Sequence, residues 1–243
     1  MKASEIEFKL RVWIITGLYI VGFLAPWQYL APALRGPRTW SWLALQLVST
    51  RWLTSQEAFI AVLIAAIAIS IAGALLRLTG TAYLGADTMQ ASTFQTQTIV
   101  AAGPYRFIRN PLYLGAWLTA AAVSLLMPWT GALFLIVALA GFELRLVLAE
   151  ESYLAGRQGE AYMRYCTEAG RFLPRLRRPS GSVAATTSPR WLESLAAEIF
   201  PAGVAISLAT LGWTYDAPLL IRAIIISYGL SLVAKALLPS RAR

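Results

Sequence analysis

The unbroken apolar run AFIAVLIAAIAISIAGALL, residues 58–76, constrains the fold of this chain more than any other feature. A helix needs about 20 mostly apolar residues to cross a hydrocarbon layer about 30 Å thick. Comparable stretches recur along the chain, and we interpret six of them as spans: residues 12–30, 58–78, 112–127, 131–149, 196–213 and 219–238. The sequence therefore predicts an all-α fold, a polytopic transmembrane helical bundle of about six spans.

The composition excludes several classes of function. Only 14% of the 243 residues are charged, against roughly 25% in a soluble domain. The net charge is +9, but the basic residues lie between apolar runs and not on one face, which argues against nucleic acid. The chain has no histidine and one cysteine, Cys166, so a Ser-His-Asp triad, a histidine zinc site and an internal disulfide are excluded. We expect no bound metal.

The positions of the basic residues predict the orientation in the membrane. Of the 21 Lys and Arg residues, only Arg35, Arg38, Arg51 and Arg222 fall on one side of the predicted bundle. Because basic residues are retained on the cytoplasmic side, we expect both termini to be cytoplasmic. The expected location is a bacterial inner membrane, crossed several times.

A linker divides the predicted bundle. Residues 179–190, PSGSVAATTSPR, are small and polar and begin and end near prolines, which is typical of a linker. We therefore predict a body of residues 1–178 with four spans and a C-terminal appendix of residues 191–243 with two spans. The role of this appendix is left open at this stage: its acids and Arg222 either complete a pocket or join a homodimer.

The third and fourth spans form a tight hairpin, because only residues 128–130 separate them. The start of one antiparallel helix and the end of the other then lie at the same depth. We expect Arg109 and Asn110 to lie near Glu150 and Glu151, as a polar site at the cytoplasmic boundary. The alternative is that Arg109 and Glu150 form an ion pair that only fixes the hairpin.

The segments around this hairpin carry a sequence pattern. GPYRFIRNPLYLG, residues 103–115, precedes the hairpin, and a Glu-Glu pair, then G-x-x-Y-x-x-Y ending in R-x-x-P, follows it. This pattern resembles the isoprenylcysteine carboxyl methyltransferase and phospholipid methyltransferase family of membrane enzymes, over roughly residues 60–176. The matching residues are Gly103, Pro104, Tyr105, Arg106, Arg109, Asn110, Pro111, Tyr113, Gly115, Glu150, Glu151, Gly159, Tyr162, Tyr165, Arg171 and Pro174. Many members of the family carry histidine where this chain has Asn110.

The resemblance implies a cofactor and a reaction. The cofactor would be S-adenosylmethionine, and the acceptor would be a lipid or a lipidated molecule, methylated on a carboxylate oxygen or a headgroup nitrogen. The implied catalytic residues are Arg171, Glu150 and Tyr105. The implied cofactor-binding residues are Arg109, Asn110, Pro111, Tyr113, Leu114, Gly115, Glu150, Glu151, Tyr162 and Tyr165.

Several of these residues also have a purely structural interpretation. Tyr113 is alternatively an anchor at the membrane boundary, and Tyr162 and Tyr165 are alternatively one face of a surface helix. Arg171 is alternatively a contact for anionic headgroups, and Arg77 is read as a snorkelling anchor. Two other functions stay open: a membrane reductase of sterol-reductase type that uses NADPH, and a lipid-binding protein without catalysis.

Overall fold

The computed structural model describes residues 2–86, 88, 99–175 and 188–237. In this part of the chain the regular secondary structure is helical, apart from two isolated β-bridges. The predicted all-α helical bundle is therefore confirmed. Most of the predicted linker falls outside the described residues.

The N-terminal half builds one side of the bundle. A short helix α1, Glu5–Lys9, is closed by a capping box in which Ser4 and Glu7 bind each other's backbone N–H groups. It leads into α2, Arg11–Leu24, and α3, Trp27–Leu30. Then follow α4, Thr39–Ser49, and the long α5, Ser55–Leu84, which also begins with a capping box.

The central hairpin consists of α6, Pro111–Ser124, and α7, Trp129–Gln158. Proline occupies the first position of α6, where its missing N–H has no helical partner to lose. An amphipathic helix α8, Glu160–Glu168, follows α7 directly. This order confirms the tight hairpin between the third and fourth apolar segments.

The C-terminal helices are α9, Trp191–Ala197, α10, Ile199–Leu211, and α11, Ala217–Leu237. The chain bends by 71° between α9 and α10. Two hydrogen bonds hold α9 against α5: the N–H of Arg190 donates to the carbonyl of Ala82 at 2.8 Å, and the Ser194 hydroxyl donates to the carbonyl of Leu78. The predicted appendix thus packs directly on the predicted body.

The number of spans differs from the six that the sequence predicts. In the described residues, four helices are long and apolar enough to cross a membrane, or five if the bent pair α9 and α10 counts as one span. The difference is α6, which has 14 residues and therefore rises only about 21 Å. The chain is a multi-pass integral membrane protein. Helix α6 packs against its neighbours in the bundle and is too short to cross the membrane alone.

Small residues let α5 and α6 approach closely. A Cβ added at Gly115 would lie 2.8 Å from the carbonyl oxygen of Gly73, and one added at Gly73 would lie 2.9 Å from that of Gly115. Such reciprocal small residues bring helix backbones together where lipid offers no hydrophobic driving force. This contact fixes the start of α6 beside the last turns of α5.

Candidate functional site

Two segments distant in sequence meet at one end of the bundle. Ile108, just before α6, and Gly170, just after α8, form a parallel bridge. The N–H of Arg109 donates to the carbonyl of Gly170 at 2.7 Å, and the N–H of Gly170 donates to that of Phe107 at 3.0 Å. The two halves of the sequence pattern are thereby joined through their backbones.

Glu151 lies at the centre of this junction. Its Oε1 is 3.1 Å from Arg109 and accepts a hydrogen bond from the amide of Asn110 at 3.3 Å. Its Oε2 lies 2.7 Å from a guanidinium nitrogen of Arg171. The predicted proximity of Arg109 and Asn110 to the Glu-Glu pair is confirmed, and the ion-pair partner of Arg109 is Glu151, not Glu150.

The guanidinium group of Arg109 is committed to protein groups. Besides Glu151, it donates to the carbonyls of Cys166 and Ala169, both at 2.9 Å. Its side chain is only 10% exposed. We call Glu151, Arg109, Asn110 and Arg171 the clamp, because these residues bind the loop before α6 to the loop after α8.

Glu150 faces a different environment from its neighbour. Tyr113 donates its hydroxyl to Oε1 of Glu150 at 2.8 Å. Both side chains line a large cavity between the helices. Glu151 lines the cavity as well, but it is paired with two arginines, so Glu150 is the acid with more capacity to bind a ligand.

Tyr105 contributes a buried polar atom to the same cavity. The residue is 6% exposed, and its hydroxyl has no hydrogen-bond partner among the described residues. Its carbonyl accepts the hydroxyl of Tyr165 at 2.8 Å. Burial raises the pKa of Tyr105 well above its ordinary value, so the hydroxyl is a neutral donor at neutral pH. A role as general base would require the disfavoured phenolate.

The two tyrosines of α8 close this end of the cavity. Tyr162 and Tyr165 are 3% and 5% exposed, and their ring centroids lie 6.1 Å apart. Burial raises the pKa of both hydroxyl groups. Both tyrosines are therefore buried and line the cavity, so they are not merely one face of a surface helix.

The cavity has a volume of about 940 Å³ and two chemically different ends. One end is polar and carries most of the residues of the sequence pattern. The other runs between α2, α10 and α11 and is lined by apolar and aromatic side chains. Ile20 and Leu24 of α2 and Ile225 and Leu232 of α11 line this end and are exposed, so this end of the cavity is not sealed from its surroundings.

The structure brings most of the predicted site residues to this cavity, but not all. The predicted residues that line it are Tyr105, Arg109, Asn110, Pro111, Tyr113, Glu150, Glu151, Tyr162 and Tyr165. Leu114, Gly115 and Arg171 are not among the residues that line it. Gly115 faces α5, and Arg171 is paired with Glu151. The roles in catalysis and cofactor binding remain predictions.

Ionisable residues outside the predicted catalytic and cofactor-binding sets also line the cavity, and one of them, Glu198, is an appendix acid that the sequence left as a possible pocket residue. Arg77, read as a snorkelling anchor, instead forms an ion pair with Glu198, which is 1% exposed. Glu143, in the middle of α7, is 3% exposed, and its Oε1 has no hydrogen-bond partner in the described part of the chain. The available signal was the ionisable group inside an apolar run, which by itself suggests function.

The comparisons with known proteins give one result. The model of the family described as phospholipid methyltransferase matches residues 61–160, from within α5 to the start of α8. This match confirms the resemblance predicted from the sequence pattern. No curated protein and no solved structure shows a significant match to the chain.

Proposed function

Because residues 61–160 match the phospholipid methyltransferase family, we propose that this integral membrane protein is an S-adenosylmethionine-dependent methyltransferase. It transfers a methyl group to a lipid or a lipidated acceptor. The family match supports a membrane methyltransferase that acts on lipid. The cofactor and the site residues are our proposal.

The observation that carries this proposal is the two-ended cavity. A water-soluble donor needs a polar site, whereas a lipid acceptor needs an apolar path from the bilayer. The cavity of about 940 Å³ has its polar end at Glu150 and an apolar lining from α2 and α11 at the other end, and we propose that the acceptor enters between these two helices. This volume is at the upper end for small-molecule sites, as two ligands require.

The polar end of the cavity has hydrogen-bonding groups that are not used within the protein and could bind the cofactor. The Tyr105 hydroxyl has no partner among the described residues, and Glu150 receives the hydroxyl of Tyr113 at one oxygen. In addition, Asn110 makes no side-chain bond to the first turn of α6, so the backbone N–H groups there are available to a carboxylate. Donors and acceptors are thus both present for the polar parts of S-adenosylmethionine.

When bound, the cofactor supplies an electrophilic methyl group on a sulfonium sulfur. The protein's own tasks are alignment and exclusion of water. Glu150, Tyr113 and Tyr105 bind polar groups, and the buried rings of Tyr162 and Tyr165 keep solvent out. The clamp acts indirectly, because Glu151 and Arg109 hold together the segments that carry these residues.

We further propose that the polar end is cytoplasmic, in an inner membrane of bacterial type. Arg38 donates to the carbonyl of Leu126, at the turn between α6 and α7 and so at the other end of α7 from Glu150. Arg35 and Arg51 lie in the same stretch of chain between α3 and α5. The many arginines around α8 lie at the Glu150 end. This distribution agrees with retention of basic residues on the cytoplasmic side.

Calorimetry on the purified, detergent-solubilised protein tests the proposal. We expect S-adenosylmethionine and its demethylated product to bind, and NADPH not to bind. Binding of NADPH alone would instead indicate a membrane reductase, and binding of none of the three would indicate a lipid-binding protein. Mass spectrometry of lipids from cells with and without the protein then identifies the methylated product.

A further inference from the structure

The C-terminal helices lie outside the matched residues 61–160, yet they form part of the wall of the cavity. Glu198 at the junction of α9 and α10, Phe200 of α10 and Tyr228 of α11 all line it. The ring of Phe200 meets those of Tyr19 in α2 and Tyr228 edge to face, with centroid distances of 6.4 and 5.6 Å. The cavity is therefore incomplete without a part of the chain to which the family match assigns no role.

One side chain connects these helices to the start of α6. Arg77 of α5 binds both carboxylate oxygens of Glu198 through two of its nitrogens. Its third nitrogen, Nη1, donates to the carbonyl of Leu112 at 3.2 Å, and Leu112 is the second residue of α6. Every nitrogen of this guanidinium group thus has a protein partner, and the group joins the junction of α9 and α10 to the first turn of α6.

The stem of Arg77 is held against the same turn. A Cβ added at Gly115 would lie 2.7 Å from Cγ of Arg77, so the stem passes directly over this glycine. From there the guanidinium group reaches back to the carbonyl of Leu112. A planar guanidinium group that a carboxylate binds at two points has a fixed direction. Glu198 therefore sets the direction in which the third nitrogen donates to α6.

Glu198 is itself held in place from several sides. It is 1% exposed and lies where the chain bends by 71° between α9 and α10. Thr81 donates its hydroxyl to Oε1 of Glu198, and Ser194 of α9 donates to the carbonyl of Leu78. Leu78 and Thr81 are three residues apart on α5 and so are neighbours on one face of that helix. The bend thus presents a carboxylate at a fixed position to Arg77.

From this arrangement we infer that Glu198 is a positioning residue of the cofactor site, which acts through Arg77 on the first turn of α6. The inference rests on the proposed function, in which the backbone N–H groups of that turn bind the carboxylate of S-adenosylmethionine. Hydrogen bonds weaken steeply when their distance and angle change, so the orientation of this turn controls the affinity for the carboxylate. The C-terminal helices are therefore part of the ligand site.

Two ligands that differ in one group test the inference by calorimetry on the full-length protein in detergent. S-adenosylmethionine carries the carboxylate, and decarboxylated S-adenosylmethionine lacks it. We expect the unsubstituted protein to bind S-adenosylmethionine at least about tenfold more tightly than the decarboxylated compound, since a hydrogen bond to a charged group contributes at least that much. In Glu198→Gln this ratio should fall to about threefold or less, because only the affinity for the carboxylate is lost.

A merely structural role of the pair would not change this ratio. Partial unfolding lowers the fraction of protein that binds, and it lowers that fraction equally for the two ligands. If Glu198→Gln lost affinity for both ligands in proportion, or for neither, the inference would be wrong.

Three further variants make the comparison specific. Glu193→Gln is the matched control on α9, because Glu193 is 35% exposed and pairs with Arg190, and it should leave the ratio unchanged. Arg77→Lys keeps the charge but loses the planar two-point geometry, so it should lower the ratio as Glu198→Gln does. Thr81→Val removes a single donor to the carboxylate. It disturbs the fold least, and we expect a smaller fall of the ratio in the same direction.

Amide hydrogen exchange measures the same coupling without any ligand. Residues 114–116 donate their N–H groups within the first turn of α6, and the last of these bonds ends on the carbonyl of Leu112. We expect faster exchange of these amides in Glu198→Gln and in Thr81→Val, whereas residues 120–124 at the far end of α6 exchange as before. Unchanged exchange at residues 114–116 would overturn the inference.

The outcomes separate this inference from the proposed function. Normal binding of S-adenosylmethionine, with the same ratio and the same exchange in Glu198→Gln as in the control, means that only the positioning role is wrong. Absence of S-adenosylmethionine binding in the unsubstituted protein, together with faster exchange in Glu198→Gln, means that Glu198 does position α6 and that the methyltransferase proposal fails.

Discussion

Arg77 and Glu198, which are 121 residues apart, form a two-point ion pair: Nε of Arg77 lies 2.6 Å from Oε2 of Glu198, and Nη2 lies 3.0 Å from Oε1. Thr81 adds a third donor to the carboxylate, at 2.6 Å. The pair connects α5 to the junction of α9 and α10. It therefore holds the C-terminal helices against the body and shapes the cavity between them.

Loss of this pair should destabilise the whole bundle. Glu198→Ala leaves the Arg77 guanidinium buried without its carboxylate, and breaking a buried pair in this way costs about 3–5 kcal/mol. We expect a clearly lower midpoint of thermal unfolding for the purified protein in detergent. Glu193→Ala is the matched control, because Glu193 is 35% exposed and pairs with Arg190 only three residues away. Such an exposed pair contributes about 0–1 kcal/mol, and similar midpoints for the two variants would show that the buried pair is not the connection we infer.

Substitution of the two neighbouring acids of α7 should have different effects: one should lower stability and the other should weaken cofactor binding. Glu151→Ala removes the centre of the clamp and leaves Arg109, whose side chain is 10% exposed, without its ion-pair partner. We expect lower stability and faster proteolysis of the segment after α8. Glu150→Ala should leave stability nearly unchanged and weaken binding of S-adenosylmethionine by about tenfold or more.

Thermal unfolding, limited proteolysis and calorimetry on the two variants check this division. Arg109→Ala should resemble Glu151→Ala, since it breaks the same ion pair. If Glu151→Ala folded normally and lost only cofactor affinity, Glu151 would be a ligand-binding residue and not part of the clamp.

The sequence predicts the polar end of the site well because local rules place it. The short connection between α6 and α7, residues 125–128, forces the two helices to be antiparallel, so Arg109 must lie near Glu150 and Glu151. Which of the two adjacent acids Arg109 binds depends on the rotation of α7 about its axis, and hydrophobic periodicity does not set that rotation in a helix that is apolar all round.

Such local rules do not predict how the apolar end of the cavity is built. The pairing of Arg77 with Glu198 and the meeting of Tyr19, Phe200 and Tyr228 depend on how distant helices pack, and apolar helix faces look alike in sequence. The prediction of six spans counted residues 112–127 as one of them, but α6 ends at Ser124 and is too short to cross the membrane alone. Glu143 was visible as an acid in an apolar run, although nothing in the sequence shows its missing partner.

The buried hydroxyl of Tyr105 should affect stability at alkaline pH. Burial raises the pKa of Tyr105 well above its ordinary value of 10.0. Below about pH 9 both the folded and the unfolded chain keep this proton, so Tyr105 contributes no pH dependence to the stability there. Above about pH 10 the unfolded chain loses the proton while the folded chain keeps it, and stability falls as the pH rises.

Tyr105→Phe removes this dependence at one position. We expect the variant to lose less stability than the unsubstituted protein between about pH 8 and pH 10.5, measured as the shift of the unfolding midpoint. Burial also raises the pKa of Tyr162 and Tyr165, but both proteins contain these residues, so their difference isolates Tyr105. Identical losses would show that Tyr105 is ionised as easily in the folded protein as in the unfolded chain.

The close contact of α5 and α6 should be sensitive to a single methyl group. A Cβ at Gly115 would lie 2.7 Å from Cγ of Arg77 and 2.8 Å from the carbonyl oxygen of Gly73, whereas a Cβ at Gly141 would meet nothing within 4 Å. Gly115→Ala should therefore cost about 1–3 kcal/mol through overpacking, and Gly141→Ala should stabilise α7 by up to about 1 kcal/mol through helix propensity. Because Gly115 also positions the start of α6, its substitution should weaken S-adenosylmethionine binding, while the Gly141 variant binds normally. Thermal unfolding and calorimetry on the two variants measure both effects, and a Gly115→Ala protein as stable as Gly141→Ala would mean that α5 and α6 are not held as closely as described.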